Sequence, residues 1–373
     1  MAIELERLAW EDKIKLGLRA LYEQYGFCQY RMGKFEPYDM YYAHKDFLKS
    51  ETVITFTDTA GRLMALKPDV TMSIVKSTQP DDDSRKLYYI ENVFRIAPGS
   101  REYGEISQIG IESIGGGDIY TETETLLLAI KTLEAISPHY VLDVSHMGFV
   151  AAVLASCGFD EAGCTMALEA LTHKNLHELM SLAEAANITE ESRELLRRTA
   201  SVSDVVPQAL AQFRALPLDA EMETALDEVE RVYAVLDAAG FAGSVRLDFT
   251  VVNNMDYYNG IVFRGYIENL PRAVLAGGRY DNLMRRFQKP QSALGFALYL
   301  GELTRAFTRL ERYDVDSLVV YGDASPEAVM RAVDSLLKEG RDVRAEKTPP
   351  QNIRARRIYR LESDGKLEVV SGD

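Results

Sequence analysis

Apolar residues Trp10, Ile14, Leu18, Leu21 and Tyr25 recur at spacings of three or four, the period of a helix that buries one stripe. An amphipathic helix therefore opens the chain. The pattern then shortens to strand-like segments separated by turn residues: "TVITFTDTAGRLMALKPD", "KLYYIENVFRI" and "EISQIGIESIGG". Alternation is clear in Val53-Ile54-Thr55-Phe56-Thr57, and "DTAG" is a turn signal. "YTETETLLLAIKTLEAI" returns to helical spacing, with acidic residues in its first turn where the helix dipole favours them.

From about 147 to 240 the chain is rich in Ala, Leu and Glu and poor in strand signal. Amphipathic stretches such as "MALEALTHKNLHELMSLAEAA" and "METALDEVERVYAVLDAAG" mark it as a helical insertion. Strands resume at "SVRLDFTVV", "GIVFRGYI" and "RAVLAGGRYDNLM", followed by the apolar run "SALGFALYLGELTRAF". Past Arg312, "VDSLVVYG", "SPEAVMRAVDSLLKEG", "DVRAEK", "ARRIYRL" and "KLEVVSG" read strand, helix, strand, strand, strand. The expected organisation is α+β: an antiparallel sheet flanked by helices and interrupted by the insertion, over residues 1–312. A small α/β unit over 313–373 follows it.

With 373 residues, two or three domains of about 150 residues each are expected. Formal charge is −15, from 42 basic and 57 acidic side chains. Nucleic-acid binding draws on cations that neutralise phosphates, so a nucleic acid is not an expected partner unless a local basic patch provides for it. The densest basic group, Arg354, Arg356, Arg357 and Arg360, reads as a solvated face of a strand or helix. Cys28, Cys157 and Cys164 are few, odd in number and widely spaced, which fits neither a disulfide framework nor a zinc site and suits a reducing cytoplasm. No metal and no cofactor is expected. No stretch approaches the ~20 consecutive apolar residues of a membrane span. The opening segment lacks the apolar core of a signal peptide.

Four stretches carry chemistry. "LKPDVT" offers Asp69 and Thr71; "FRIAPGSREYGEISQIGIE" offers Arg95, Gln108 and Glu112; "NNMDYYNG" offers Asp256, Tyr257 and Tyr258; "AGGRYDNL" sets Arg279 and Tyr280 after a Gly-Gly pair. In "SQIGIE" the alternation puts Gln108, Gly110 and Glu112 on one strand face, with the glycine leaving room for a ligand. Carboxylates and an amide suit an ammonium group, and an arginine holds a carboxylate with two parallel bonds. Together these groups describe an amino-acid pocket. Singly, Glu112 reads equally as a surface carboxylate, the tyrosines as core aromatics, and Gly277-Gly278 as a bulge or bend.

In their order, the four stretches resemble the catalytic domain of class II histidyl-tRNA synthetases, over about residues 10 to 310. The resemblance implies an antiparallel sheet flanked by helices and a chain that pairs with itself. It also implies a histidine pocket: Asp69, Thr71, Gln108 and Glu112 on the α-amino group and imidazole, Arg95 towards the carboxylate, and Tyr257, Tyr258 and Tyr280 lining the ring. Asp69 stands where the family has Glu, and Lys67 where it has Arg.

The departures from the family pattern fall where adenylation needs cations. "RGLDYYN" appears here as "NNMDYYN", with Asn253 in the place of an arginine. The motif 2 arginine is aligned with Gly104, beside Glu105, although a slip of the alignment would bring Arg101 near. "GFAxGLERL" appears as "GFALYLGEL", placing Glu302 at the ATP-stacking arginine and Tyr299 at a glycine. One missing donor at a transferring phosphate costs about 3 kcal/mol or more. A histidine pocket without an ATP site is similar to the regulatory-subunit family of ATP phosphoribosyltransferase. That resemblance implies a non-enzymatic chain that activates a short-form catalytic subunit of ATP phosphoribosyltransferase and carries feedback inhibition by L-histidine. The loop Ala97 to Gly104, with two glycines and a proline, is the expected switching element, or else a plain surface hairpin. The competing readings are an active synthetase and a histidine-sensing module for some other partner. The final unit, about 60 residues, is shorter than the family's anticodon-binding domain, which again points away from tRNA.

Overall fold

The computed structural model describes residues 8–43, 53–79, 84–96, 102–252, 257–308, 313–362 and 364–372. The opening helix runs Trp10–Gln24 and buries Leu18 and Tyr22 completely. Tyr22, four residues after Leu18, extends the predicted stripe. Its ring meets Tyr88 and Phe296, and its hydroxyl pairs with Thr132 Oγ1 at 2.8 Å, so the helix is anchored to the sheet through one aromatic.

Among the described residues the main sheet has nine strands. In spatial order they are Cys28–Gln29, Arg85–Ile96, Tyr103–Ile114, Ala293–Tyr299, Leu275–Arg279, Ile261–Ile267, Tyr140–His146, Val245–Asp248 and Ser203–Val205. The expected antiparallel sheet is mixed: Cys28–Gln29 runs parallel to Arg85–Ile96, and Tyr140–His146 parallel to Val245–Asp248. Both parallel pairs are joined by long connections, as parallel strands require. The residues of "TVITFTDTAGRLMALK" leave the main sheet. Thr55–Thr57 and Leu63–Leu66 form a separate three-stranded sheet with Phe35–Pro37.

The helix Ile119–Glu134 packs along one sheet face, against the strands from Tyr103–Ile114 to Tyr140–His146. It is N-capped by Asp118, which accepts from Thr121 N. Its acids Glu122, in the first turn, and Glu124, in the second, do more than complement the dipole. Glu122 and Glu124 are buried, paired with Arg279 at 2.9 Å and Lys86 at 2.7 Å. On the opposite face the short helix Val70–Ser77 covers a core of Tyr41, Val70, Met72, Ile74, Tyr89, Tyr280 and Met284.

The insertion consists of helices Met147–Ser156, Glu161–Thr172, Leu176–Ala185, Glu190–Ser201, Val206–Arg214 and Ala220–Ala238, interrupted by the strand Ser203–Val205, which the helical composition conceals. Phe149 and Phe213 clasp Phe249, with Phe149 stacked at 4.1 Å and Phe213 edge-on at 4.9 Å. All three are fully buried, which fixes the insertion to the chain just beyond the Val245–Asp248 strand.

Residues Thr304–Asp373 form the second compact unit and Met1–Leu303 the first; the expected boundary at 312/313 touches residues 309–312, outside the described set. In the second unit Val315–Val320, Val343–Glu346 and Ala355–Leu361 run parallel, Leu367–Gly372 is antiparallel at the edge, and the helix Pro326–Lys338 supplies Ala332 and Leu336 to the core. The arginine cluster lies on and just before the Ala355–Leu361 strand. Arg354 pairs with Asp314 at 2.7 Å and Arg356 with Asp316 at 3.7 Å, a solvated charged face. Cys28, Cys157 and Cys164 are free thiols. No helix among the described residues is long and apolar enough to cross a membrane.

Candidate ligand-binding site

The site grows from the middle of the Tyr103–Ile114 strand. Glu112 is 2 % exposed there, opposite Gly295 on the neighbouring strand. A Cβ at Gly295 would lie 1.8 Å from Glu112 Oε2, so the glycine is the space the carboxyl occupies. Thr71 Oγ1 donates to Oε1 at 2.6 Å and Tyr280 OH to Oε2 at 2.7 Å. Burial pushes the Glu112 carboxyl up to about 8, against the opposing pull of these two hydroxyls and with a further upward contribution from nearby Asp69.

Asp69 comes from the start of the Val70–Ser77 helix, where it is the N-cap and accepts from Met72 N at 2.8 Å. Its other oxygen faces Arg95 Nη2 at 3.4 Å, while Arg95 Nε donates to Pro68 O at 2.6 Å. Arg95 thus fixes the residues before the helix as well as neutralising Asp69. Lys67 is 1 % exposed and paired with Glu91, so its charge is committed inside the protein.

Tyrosines close the pocket. Tyr257 and Tyr258 contact each other at 4.5 Å between ring centroids, and Tyr257 meets Tyr280 at 5.8 Å. Thr71 also hydrogen-bonds with the Tyr257 hydroxyl. Burial holds the Tyr257, Tyr258 and Tyr280 hydroxyls well above the ordinary range, with a smaller upward contribution from the neighbouring Glu112 carboxyl and, for Tyr257 and Tyr258, from Asp69, so all three stay protonated. A Cβ at Gly278 would stand 2.9 Å from the Tyr258 ring, so this glycine of the pair makes way for the tyrosine, while Gly277 makes way for Phe296 and Phe263.

Asp69, Thr71, Arg95, Glu112, Tyr257, Tyr258 and Tyr280 therefore converge. Gln108 is buried on the same strand as Glu112, opposite Glu91 on one side and Tyr299 on the other. The room left by Gly110 is not free for a ligand, however. Its missing Cβ would lie 2.4 Å from Tyr89 OH: the ring of the cross-strand partner folds over the glycine and fills the gap. The motifs leave Tyr89 and Gly295 out of the site and mark Tyr299 only as the replacement of a family glycine. Pairing across the sheet, invisible in a linear pattern, brings them to the pocket.

Of the positions expected to have lost cations, Gly104 lies opposite Arg95, in a place where a Cβ would be 3.4 Å from Arg95 O. Glu302 belongs to the helix Leu300–Thr308, but its side chain is outside the described set. Asn253 and Asp256 also fall outside the described residues, as do residues 97–101 of the expected switching loop. No cluster of His, Cys, Asp and Glu able to hold a metal occurs among the described residues. Two carboxyls, one of them paired with a guanidinium, with tyrosine rings and hydroxyls around them, suit a small ligand that carries N–H donors, a flat ring and a carboxylate.

A family model described as histidyl-tRNA synthetase matches residues 5–303. The chain is 28% identical over 320 residues to an ATP phosphoribosyltransferase regulatory subunit of Clostridium botulinum, covering 82% of this chain and 75% of that one. The fold is similar to a crystal structure titled as an ATP phosphoribosyltransferase regulatory subunit/histidyl-tRNA synthetase from Bacillus halodurans, with TM-score 0.76, 24% identity, and 89% and 87% of the two chains covered. It is also similar to a chain of the ATP phosphoribosyl transferase (HisG:HisZ) complex from Thermotoga maritima, with TM-score 0.61, 17% identity, and 78% and 97% covered.

Proposed function

The chain belongs to the histidyl-tRNA synthetase family, and on that premise we propose that it is a non-catalytic regulatory subunit of ATP phosphoribosyltransferase in histidine biosynthesis. The observation that carries the histidine pocket is the buried Glu112 carboxyl, held between Thr71 and Tyr280 beneath the Tyr257–Tyr258 pair. The relative named as a regulatory subunit supports the partner, and the replacements at Asn253, Gly104 and Glu302 support the absence of adenylation. The partner is a short-form catalytic subunit. L-histidine is the effector, the chain pairs with itself in the cytoplasm, and it takes no tRNA.

In this reading histidine inhibits because it binds better to the low-activity arrangement of the assembly than to the active one. The same coupling free energy makes partner and substrates alter histidine affinity in return. Glu112 and Asp69 supply acceptors to the imidazole and ammonium N–H groups, Arg95 faces the carboxylate, and the tyrosines exclude water from the ring.

The test is reconstitution. Adding the chain to a short-form ATP phosphoribosyltransferase should raise its rate and make it sensitive to histidine, with no histidine-dependent pyrophosphate exchange by the chain alone. Exchange by the isolated chain would instead identify a working synthetase, and an unaltered partner rate would remove the proposed assembly.

A further inference from the structure

Three of the pieces of chain that build the pocket are Tyr257–Tyr258, Tyr280, and the strand that bears Gly295. One pair of polar side chains ties them together. Asn259 directly follows the tyrosine pair and Asp281 directly follows Tyr280. Asn259 Oδ1 accepts from Asp281 N at 2.8 Å, and Asn259 Nδ2 donates to Asp281 Oδ2 at 3.3 Å. The same carboxylate accepts from Arg279 Nε at 2.8 Å through Oδ2 and from Ala293 N at 2.9 Å through Oδ1. Asp281 is 5 % exposed, so these contacts are shielded from competing water. Backbone bonds complete the knot: Asn259 N donates to Arg279 O at 3.1 Å and Tyr280 N to Ala293 O at 2.8 Å.

The asparagine side chain meets both demands at 259 with its two amide atoms. The Asp281 amide needs an acceptor and the Asp281 carboxylate needs a donor, which also settles which way the Asn259 amide points. Arg279 cannot substitute for it, because that guanidinium already spans Asp281 and Glu122.

We propose that Asn259 is a positioning residue: through the Asp281 carboxylate it sets Tyr257 and Tyr258 against Tyr280 and against the strand that seats Glu112. The proposal rests on the reading of this pocket as a histidine site. Asn259 acts through the tyrosines and does not touch the ligand.

The experiment is L-histidine titration calorimetry on the full chain, comparing Asn259→Ala and Asn259→Asp with the unaltered protein, each checked for its circular dichroism spectrum. Loss of these two part-buried hydrogen bonds predicts about a tenfold rise in Kd for Asn259→Ala. In Asn259→Asp a second carboxylate faces Asp281, with Arg279 and Glu122 beside it, so its Kd should rise as well. Between about pH 7.5 and about pH 5.5 a shared proton should relieve that repulsion. The Kd ratio to the unaltered chain should then fall several-fold for Asn259→Asp but stay constant for Asn259→Ala. A histidine Kd within about twofold of the unaltered chain in Asn259→Ala, or parallel pH behaviour of the two variants, overturns the positioning role. Absence of histidine binding by the unaltered chain is a different failure: it removes the histidine reading itself, and the proposal with it.

Discussion

Replacing Glu112 by Gln should stabilise the empty protein and weaken its hold on histidine. The Glu112 carboxyl is raised from 4.5 to about 8 by burial, so the folded chain binds this proton more tightly than the unfolded chain does. Below pH 4.5 both states are protonated and the site costs nothing. As pH rises towards 8 the unfolded chain ionises while the folded one keeps its proton, and folding loses about 1.4 kcal/mol per pH unit. The cost reaches about 3 kcal/mol at pH 7 and about 5 kcal/mol at pH 8 and above. Gln carries no such titration. The Thr71 and Tyr280 hydroxyls, which donate to the carboxyl at 2.6 and 2.7 Å, can rotate so that one donates to the amide oxygen and the other accepts from its nitrogen. The expected result is a melting temperature raised by about 5–10 °C at pH 7 to 8, converging with the unaltered protein near pH 4.5. Histidine binding measured calorimetrically should weaken by about tenfold or more, since a carboxyl that can give up its proton opposite the ligand's cationic N–H groups is replaced by an amide that cannot ionise. A stability difference that is the same at pH 5 and pH 8 would show that this carboxyl does not carry the strain. An unchanged histidine Kd would show that it does not anchor the ligand.

Lys67→Met leaves Glu91 without its buried cation and should destabilise by about 3–5 kcal/mol; adding Glu91→Gln should recover part of that loss in urea unfolding, and a double variant as unstable as the single one would contradict it. Asp69→Asn keeps a good N-cap for Met72 N and should leave stability nearly unchanged while weakening histidine binding, whereas Asp69→Ala should lose about 1 kcal/mol of stability as well. Equal histidine affinity in the unaltered and Asp69→Asn proteins would reduce Asp69 to a helix cap.

Most of the segments that become helix or strand were legible in the chain, the short strand Ser203–Val205 excepted, because periodicity is a local property. The Trp10–Gln24 helix, the long insertion and the strand–helix–strand–strand–strand order of the last unit all follow from spacing within a few residues. The candidate pocket was legible for a related reason: Asp69, Glu112, Tyr257 and Tyr280 sit in short motifs whose order along the chain could be compared with a family. What those residues do to one another was not legible. Glu112 holds its proton because Gly295, nearly two hundred positions away, makes a place for it, and Tyr89 rather than a ligand fills the space beside Gly110. Asp69 is a helix cap, Lys67 an internal counter-charge and Asn259 the partner of Asp281. Desolvation and pairing depend on neighbours brought together by strand order, including the two parallel pairings. The sequence by itself determined the elements and the chemistry they carry; only the folded sheet decided which groups face each other, and so where a proton, a charge or a ring can stay.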